Sequence, residues 1–313
     1  MSVTRTRALA LKQTGGGAFD RDNRHIYFAA GDSEHYPPHV LLATNDLLTA
    51  GHERKLVALL DAGHKVLLDS GIFWLTNQYK RANPGVSMDE ALSLAPEQIN
   101  GFENLYARYV ELVQRHGDRL WGYIELDQGG RDNKVRTRAR LEAEGLAPIP
   151  VYHPLVDGWD YFDELAQQYD RICFGNVVQA PAPVRLRLLH TLWERHRRYP
   201  DLWVHVLGLT VNEWCLAVPP DSCDSSTWLG PLRWPDVRID SALLRKVGVV
   251  DRGFAYDLDQ PAHPERGRTA CCLMCAQTVE ATTTVWSLAR TTREQLLGQS
   301  PYPPLTDLEE RTP

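Results

Sequence analysis

Residues 65–74 read KVLLDSGIFW. A short strand-suited run, apolar on both alternations from Val66 to Leu68, passes directly into Asp69-Ser70-Gly71. A strand with one wetted face alternates apolar and polar residues. This one does not, so it reads as a strand of a parallel sheet buried on both sides. The same pattern recurs at His25–Ala30 (HIYFAA), Gly122–Leu126 (GYIEL), Ala147–Tyr152 (APIPVY), Arg171–Phe174 (RICF) and Trp203–Leu207 (WVHVL), and more weakly at Ser222–Trp228. Between these runs the spacing turns helical. Ser87-Met-Asp-Glu90 is a capping-box pattern that opens a helical stretch running past Pro96 to Gln114; Asp157–Gln168, Ala182–Arg198 and Thr278–Leu297 are further helices. Strand followed by helix along most of the chain means βαβ units. About eight such units in roughly 250–300 residues predict an α/β fold of the (β/α)8 TIM-barrel type. A doubly wound open sheet is the alternative, but no G-x-G-x-x-G follows the first strand.

At 43% hydrophobic and 24% charged residues, the 313-residue chain has the composition of a globular protein, which excludes a disordered or fibrous one. No apolar run approaches the ~20 residues that cross a bilayer. The N-terminal MSVTRTRALALKQTGGG lacks a long apolar core, so a cytoplasmic protein without membrane contact is expected. Residues 1–24 read as an irregular arm, 25–298 as a single barrel domain uninterrupted by a Pro-, Gly- or Ser-rich linker, and 299–313 as a Pro-rich acidic tail. Six cysteines in such a chain point to reduced thiols, a metal site, or both.

In a barrel, catalytic side chains stand at the carboxyl ends of strands. Asp69 ends one run, Asp127 (in YIELDQGG) another, and Asp224 (in CDSSTW) lies in a third. Any one of these aspartates could simply cap the next helix, and the glycines beside them could simply make the turn. Three at once, each beside small residues that leave room for a ligand, favour a shared site. Asp69 and Asp224 suit retaining glycosyl transfer, one as nucleophile and the other as general acid/base, because an oxocarbenium-like carbon needs a carboxylate on one face and the departing group a proton from the other. Asp127, next to Gln128 and two glycines, suits the reading of hydrogen-bond donors on a planar ligand. Gly175 and Gly208 allow close backbone approach to that ligand, and Ser70, Gly71 and Asn176 complete the expected base-binding set.

These residues carry a resemblance. Asp69-Ser70-Gly71-Ile72-Phe73 resembles the D-S-G-G-F signature of the tRNA-guanine transglycosylase superfamily, and Cys223-Asp224-Ser225-Ser226-Thr227-Trp228 resembles its archaeal F-D-S-A-S-Y block. Asp127 falls where the family has a base-recognising aspartate, and Cys173–Asn176 and His205–Gly208 where its glycine-containing pocket strands lie. The similarity spans residues 25 to about 230. It implies exchange of guanine for a 7-deazaguanine in nucleic acid through a covalent aspartyl intermediate on Asp224, with Asp69 on the base side and no cofactor in the reaction. The short chain, without an evident RNA-binding appendage, is more similar to the compact bacterial and phage branch that modifies DNA, where an accessory DNA-opening protein is an expected partner; tRNA is the alternative substrate. Ile72 replaces the second glycine of the signature and should reshape the pocket floor. The family's zinc site, C-x-C-x2-C with a later histidine, is altered here to Cys271-Cys272-Leu273-Met274-Cys275, with His263 upstream. Cys271, Cys272, Cys275 and His263 supply four ligands for a structural zinc, with buried free thiols as the equal rival.

The formal net charge of −6 points away from a polyanion when taken alone. Acidic residues of the tail (Asp307, Glu309, Glu310) weigh on that sum, while Arg131, Lys134, Arg136, Arg138 and Arg140 put five positive charges into ten residues just after Asp127. That run reads either as a solvated helix face or as a phosphate-contacting helix at the mouth, which its position favours. Arg195–Arg198 ends a helix, where cations complement the dipole. His153 reads as a hydrogen-bonded rim histidine. Trp74, Tyr79 and Trp228 could stack on bases. A non-catalytic partner subunit and a metal-dependent barrel hydrolase are rival readings. The first need not keep both Asp69 and Asp224, and the second wants several strand-end histidines where only His153 qualifies.

Overall fold

A computed structural model describes residues 10–31, 36–178, 180–209 and 220–226. The helix expected at Thr278–Leu297, the tail, Trp228, and Cys271, Cys272, Cys275 and His263 lie outside the described residues. Eight strands are present: β1 (Ile26–Ala30), β2 (His39–Ala43), β3 (Lys65–Asp69), β4 (Gly122–Tyr123), β5 (Val151–Tyr152), β6 (Arg171–Phe174), β7 (Trp203–Val206) and β8 (Ser222–Ser225). All pair in parallel, in the order β4-β3-β2-β1-β8-β7-β6-β5. A parallel bridge between Ile124 and Ile149 joins the two end strands: Ile149 N donates to Tyr123 O at 2.8 Å and Glu125 N to Ile149 O at 3.0 Å. The sheet thus curls into a barrel with its strands in chain order, as the repeating units predict.

The runs that are apolar on both alternations are explained by two cores. Leu67 of β3 points inward with Ile26, Phe28, Leu41, Trp121, Ile124 and Trp203. Its neighbours Val66 and Leu68 pack outward with residues of the helices. Those helices are α1 (Ala50–Asp61), α2 (Ile72–Ala82), α3 (Met88–Ser93), α4 (Phe102–His116), α5 (Gly130–Ala143), α6 (Trp159–Gln168) and α7 (Ala182–His196). The capping box forms at α3, where Glu90 N donates to Ser87 Oγ at 3.1 Å and Ser87 N to the Glu90 carboxylate at 2.7 Å. The helical stretch beyond it breaks at Pro96, which opens a one-turn 3-10 segment, and resumes after Gly101, whose φ is 93°. One strand, β2 (HVLLA), is not among the runs recognised in the sequence; it is short and follows Pro37-Pro38.

The described part of the arm is irregular but packed. Thr14 donates through N and Oγ to Asp170 Oδ1, both at 2.9 Å, and the buried Arg171 guanidinium donates to Thr14 O and Trp121 O, both at 2.8 Å. Phe19 meets Trp121 and Trp203 edge-on at 5.0 and 5.1 Å. The described part of the arm therefore packs across the amino-terminal end of the barrel.

Candidate active site

Asp69 is the last residue of β3, Asp127 follows β4, and Asp224 lies in β8. All three line one cavity of about 230 Å³ at the carboxyl ends of the strands, together with Ser70, His153, Asn176 and Gly208. That volume is at the small end for ligand sites and suits a flat group the size of a nucleobase.

The three carboxyls are held differently. Asp224 Oδ1 accepts from Gly208 N at 2.9 Å and from His205 Nε2 at 3.1 Å, both donors on one oxygen. Asp127 Oδ2 pairs with His153 Nε2 at 2.9 Å, and its Oδ1 accepts from Ser70 Oγ at 3.4 Å. Burial alone would raise the Asp127 carboxyl, but the hydrogen bond and charge of His153, aided by Lys134, outweigh it and hold the carboxyl below its ordinary value. Among the described residues Asp69 has only backbone support, with Gly71 N donating to Oδ2 at 3.0 Å. Burial, then the nearby Asp127 and Asp224, push it up to about 7. Carboxylates driven apart in this way mark one as a proton carrier and another as a standing anion.

The smaller residues sort by what they touch. Gly71 takes φ 85° to start α2, so the turn itself needs the glycine. Gly208 (φ 66°) supplies the amide on Asp224. Gly175 is absent from the cavity lining: a Cβ there would come within 2.9 Å of the His153 ring, so the glycine makes room for that histidine and not for a ligand. Ile72 is buried and lines the cavity, as does the half-exposed Phe73. Gln128 is wholly buried and ties α3 down, its amide donating to Ala91 O and Leu94 O at 2.8 Å. Asn176 is different. It sits at φ 59°, uncommon for a residue with a Cβ, and both polar atoms of its side chain are buried without a hydrogen bond among the described residues. An amide buried in this way on a cavity wall has hydrogen-bonding capacity that no described residue uses.

The basic helix is corrected by its surroundings. Lys134 is fully buried in an ion pair with Asp157 and donates to Val151 O at 3.1 Å. Arg138 is buried against Glu125 at 3.3 Å and donates to Tyr161 Oη at 2.7 Å. These two cannot reach a phosphate. With Glu125, which accepts from Val151 N at 2.6 Å, they stitch the seam where β4 and β5 pair least. Arg131 is paired with Asp160 and Glu164, Arg136 with Glu97, and Arg140 with Glu103. Lys134→Met would leave the Asp157 carboxylate buried and unpaired. It is expected to cost about 3–5 kcal/mol of stability in urea unfolding, whereas Arg136→Ala, which breaks an exposed pair, should stay within about 1 kcal/mol.

The chain matches no protein-family model, and no curated protein matches it significantly. It is similar in structure to a protein from Aquifex aeolicus VF5. That match has a TM-score of 0.43 and 10% sequence identity, and covers 85% of this chain and 94% of the other.

Among the described residues no group of three or more His, Cys, Asp or Glu side chains could hold a metal ion. No described helix is long and apolar enough to cross a membrane. Cys173 and Cys223 are buried. Sequence reasoning did not single out His205 for its side chain. The one available signal was a histidine inside an otherwise apolar strand (WVHV), on the strand next to the one bearing Asp224.

Proposed function

We propose that this protein is a base-exchange glycosyltransferase that replaces guanine in DNA with a 7-deazaguanine. The observation that carries the reading is the pair of carboxyls on one cavity: Asp224, anchored on Oδ1 by two donors, and Asp69, which burial and the neighbouring Asp127 push up to about 7. The resemblance of the motifs around them to guanine transglycosylases supplies the substrate class.

A guanosine leaves the stack and its base enters the cavity, as chemistry on a base requires. Asp224 attacks C1′ through Oδ2 as the C1′–N9 bond breaks. The bonding pair stays with N9, and the proton on Asp69 goes to the departing guanine. The product is a neutral base, an ionised Asp69 and an Asp224–C1′ ester. In the return step the incoming 7-deazaguanine gives its N9 proton to Asp69 as N9 bonds to C1′, and the ester bond breaks back to the Asp224 carboxylate. Asp127, fixed by His153, accepts from the donor edge of the base, and Asn176 offers its unused amide.

Labelled guanine incubated with the protein and either DNA, single-stranded or duplex, or tRNA tests this directly. Uptake into DNA is expected. Uptake into tRNA alone would keep the chemistry and reassign the substrate, and uptake into neither would remove the reading. Asn176→Leu is expected to weaken guanine binding about 10–100-fold by calorimetry, the worth of one or two buried polar contacts. Unchanged affinity would take Asn176 out of base recognition.

A further inference from the structure

Four side chains of β7 and β8 form a continuous buried line. Trp203 Nε1 donates to Ser222 Oγ at 2.9 Å, Ser222 Oγ lies 2.9 Å from His205 Nδ1, and His205 Nε2 lies 3.1 Å from Asp224 Oδ1. Parallel pairing of His205 with Ser222 sets this register and puts Asp224 one strand repeat further toward the mouth. Trp203, His205 and Ser222 are almost completely buried. The base-exchange chemistry uses only the far end of the line.

The hydrogen bonding of the line has a direction. A carboxylate accepts only, so the Nε2 that bonds Asp224 carries a proton. In a neutral imidazole Nδ1 is then an acceptor, and its partner among the described residues is Ser222, whose hydroxyl donates to it while accepting from the Trp203 indole. Every member thus has a partner of the right sense, and the ring cannot turn without breaking two bonds. Phe28 adds an edge-on contact with the ring at 5.7 Å between centroids. The serine is wholly buried and bonds the nitrogen opposite the aspartate's, so the set does not act as a hydrolytic triad.

We propose that His205 is the positioning residue for Asp224: it fixes Oδ1 together with the Gly208 amide and so presents Oδ2 to the electrophile. The nucleophile role of Asp224 rests on the base-exchange reading; the His205–Asp224 coupling does not. Among the described residues, the other titratable groups lining the cavity with Asp224 are Asp69 of β3, Asp127 after β4 and His153, with Cys173 of β6 close by. His153 bonds Asp127, so His205 is the described side chain that bonds Asp224 itself.

The experiment compares His205→Gln with His205→Asn in the full chain. The Gln amide nitrogen reaches the position of Nε2, while the Asn amide stops near Nδ1 and cannot touch Asp224. Covalent-complex formation on DNA should be within a fewfold of wild type for Gln and about 10–100-fold slower for Asn, the range for a misplaced reacting group. Guanine affinity should be unchanged in both. Equal rates in the two folded variants would overturn the proposal. A second readout needs no turnover: the ¹³C resonance of the Asp224 carboxyl should move in Asn, which loses the His205 hydrogen bond, and keep its wild-type position in Gln. An unmoved resonance in Asn overturns the coupling even if no base is ever exchanged. A wild-type protein that traps no complex, with a moved resonance in its Asn variant, overturns the base-exchange reading and leaves His205 in place.

Discussion

Asp224→Asn is expected to abolish the covalent complex that the proposed base exchange forms with guanosine-containing DNA, and to lower exchange by at least about 10³-fold. The magnitude follows from losing a nucleophile whose intermediate splits one difficult displacement into two. Asparagine keeps the shape and accepts the same hydrogen bonds from Gly208 N and His205 Nε2. The fold and guanine affinity should therefore survive, and what is lost is the ability to form an ester with C1′. Denaturing gel electrophoresis of protein with labelled DNA reads the complex directly. A complex that persists in Asp224→Asn would show that another group attacks C1′.

Asp69→Asn produces the second large effect, in rate and in stability with opposite signs. A proton carrier at about 7 is half-loaded at neutral pH, where both halves of an exchange can run. In the proposed exchange the departure of guanine would need Asp69 protonated, so complex formation should fall as pH rises through about 7. Discharge onto the incoming base needs it ionised and should rise over the same range. Asp69→Asn should slow both by about 10²–10⁴-fold and flatten both profiles. Single-turnover rates measured from pH 5 to 9 test this, and profiles unchanged in the variant would assign the proton to another group.

The stability effect follows from linkage. The folded-state value lies above the ordinary 3.8 because burial, Asp127 and Asp224 all oppose the charge. The folded chain therefore holds this proton more tightly than the unfolded chain. The stabilisation that gives is full below about pH 4 and lost as pH climbs through about 7. At pH 8 the wild type carries a disfavoured anion that Asp69→Asn lacks, and the variant should be more stable by about 1–3 kcal/mol. At pH 4 the two should melt together. Thermal unfolding at the two pH values checks the sign.

Which features were legible in the chain follows from the range of the interactions that make them. Val66 to Leu68 could be read as buried on both faces because strand burial leaves its mark within a few residues, and the polar residue at the end of such a run marks the mouth. That is why Asp69, Asp127 and Asp224 could be picked out, and why the structure brings them to one cavity. The helices α1 and α2 escaped because His52, Glu53 and Arg54 in one, and the polar Thr76–Arg81 stretch in the other, blur the apolar period. The basic helix misled for a different reason. Its partners Glu97, Glu103, Asp157, Asp160 and Glu164 belong to other segments, and nothing near Arg131–Arg140 records which acids will pack beside it. Once those charges are paired, the net −6 regains some of its weight. The proposed binding of nucleic acid through the described face would then rest more on a base in the cavity than on a phosphate track.

The sequence by itself determined the alternation of strands and helices apart from β2, α1 and α2, the barrel they make, and the three aspartates at its mouth, because each depends on periodicity and on neighbours a few positions away. Only the tertiary structure decided what those aspartates are. The upward shift of Asp69, the anchoring of Asp127 by His153 and of Asp224 by His205, the demand of His153 for Gly175, and the unspent amide of Asn176 all arise between strands that meet across the barrel. Burial and electrostatic coupling depend on distance in space, and chain separation carries no measure of that.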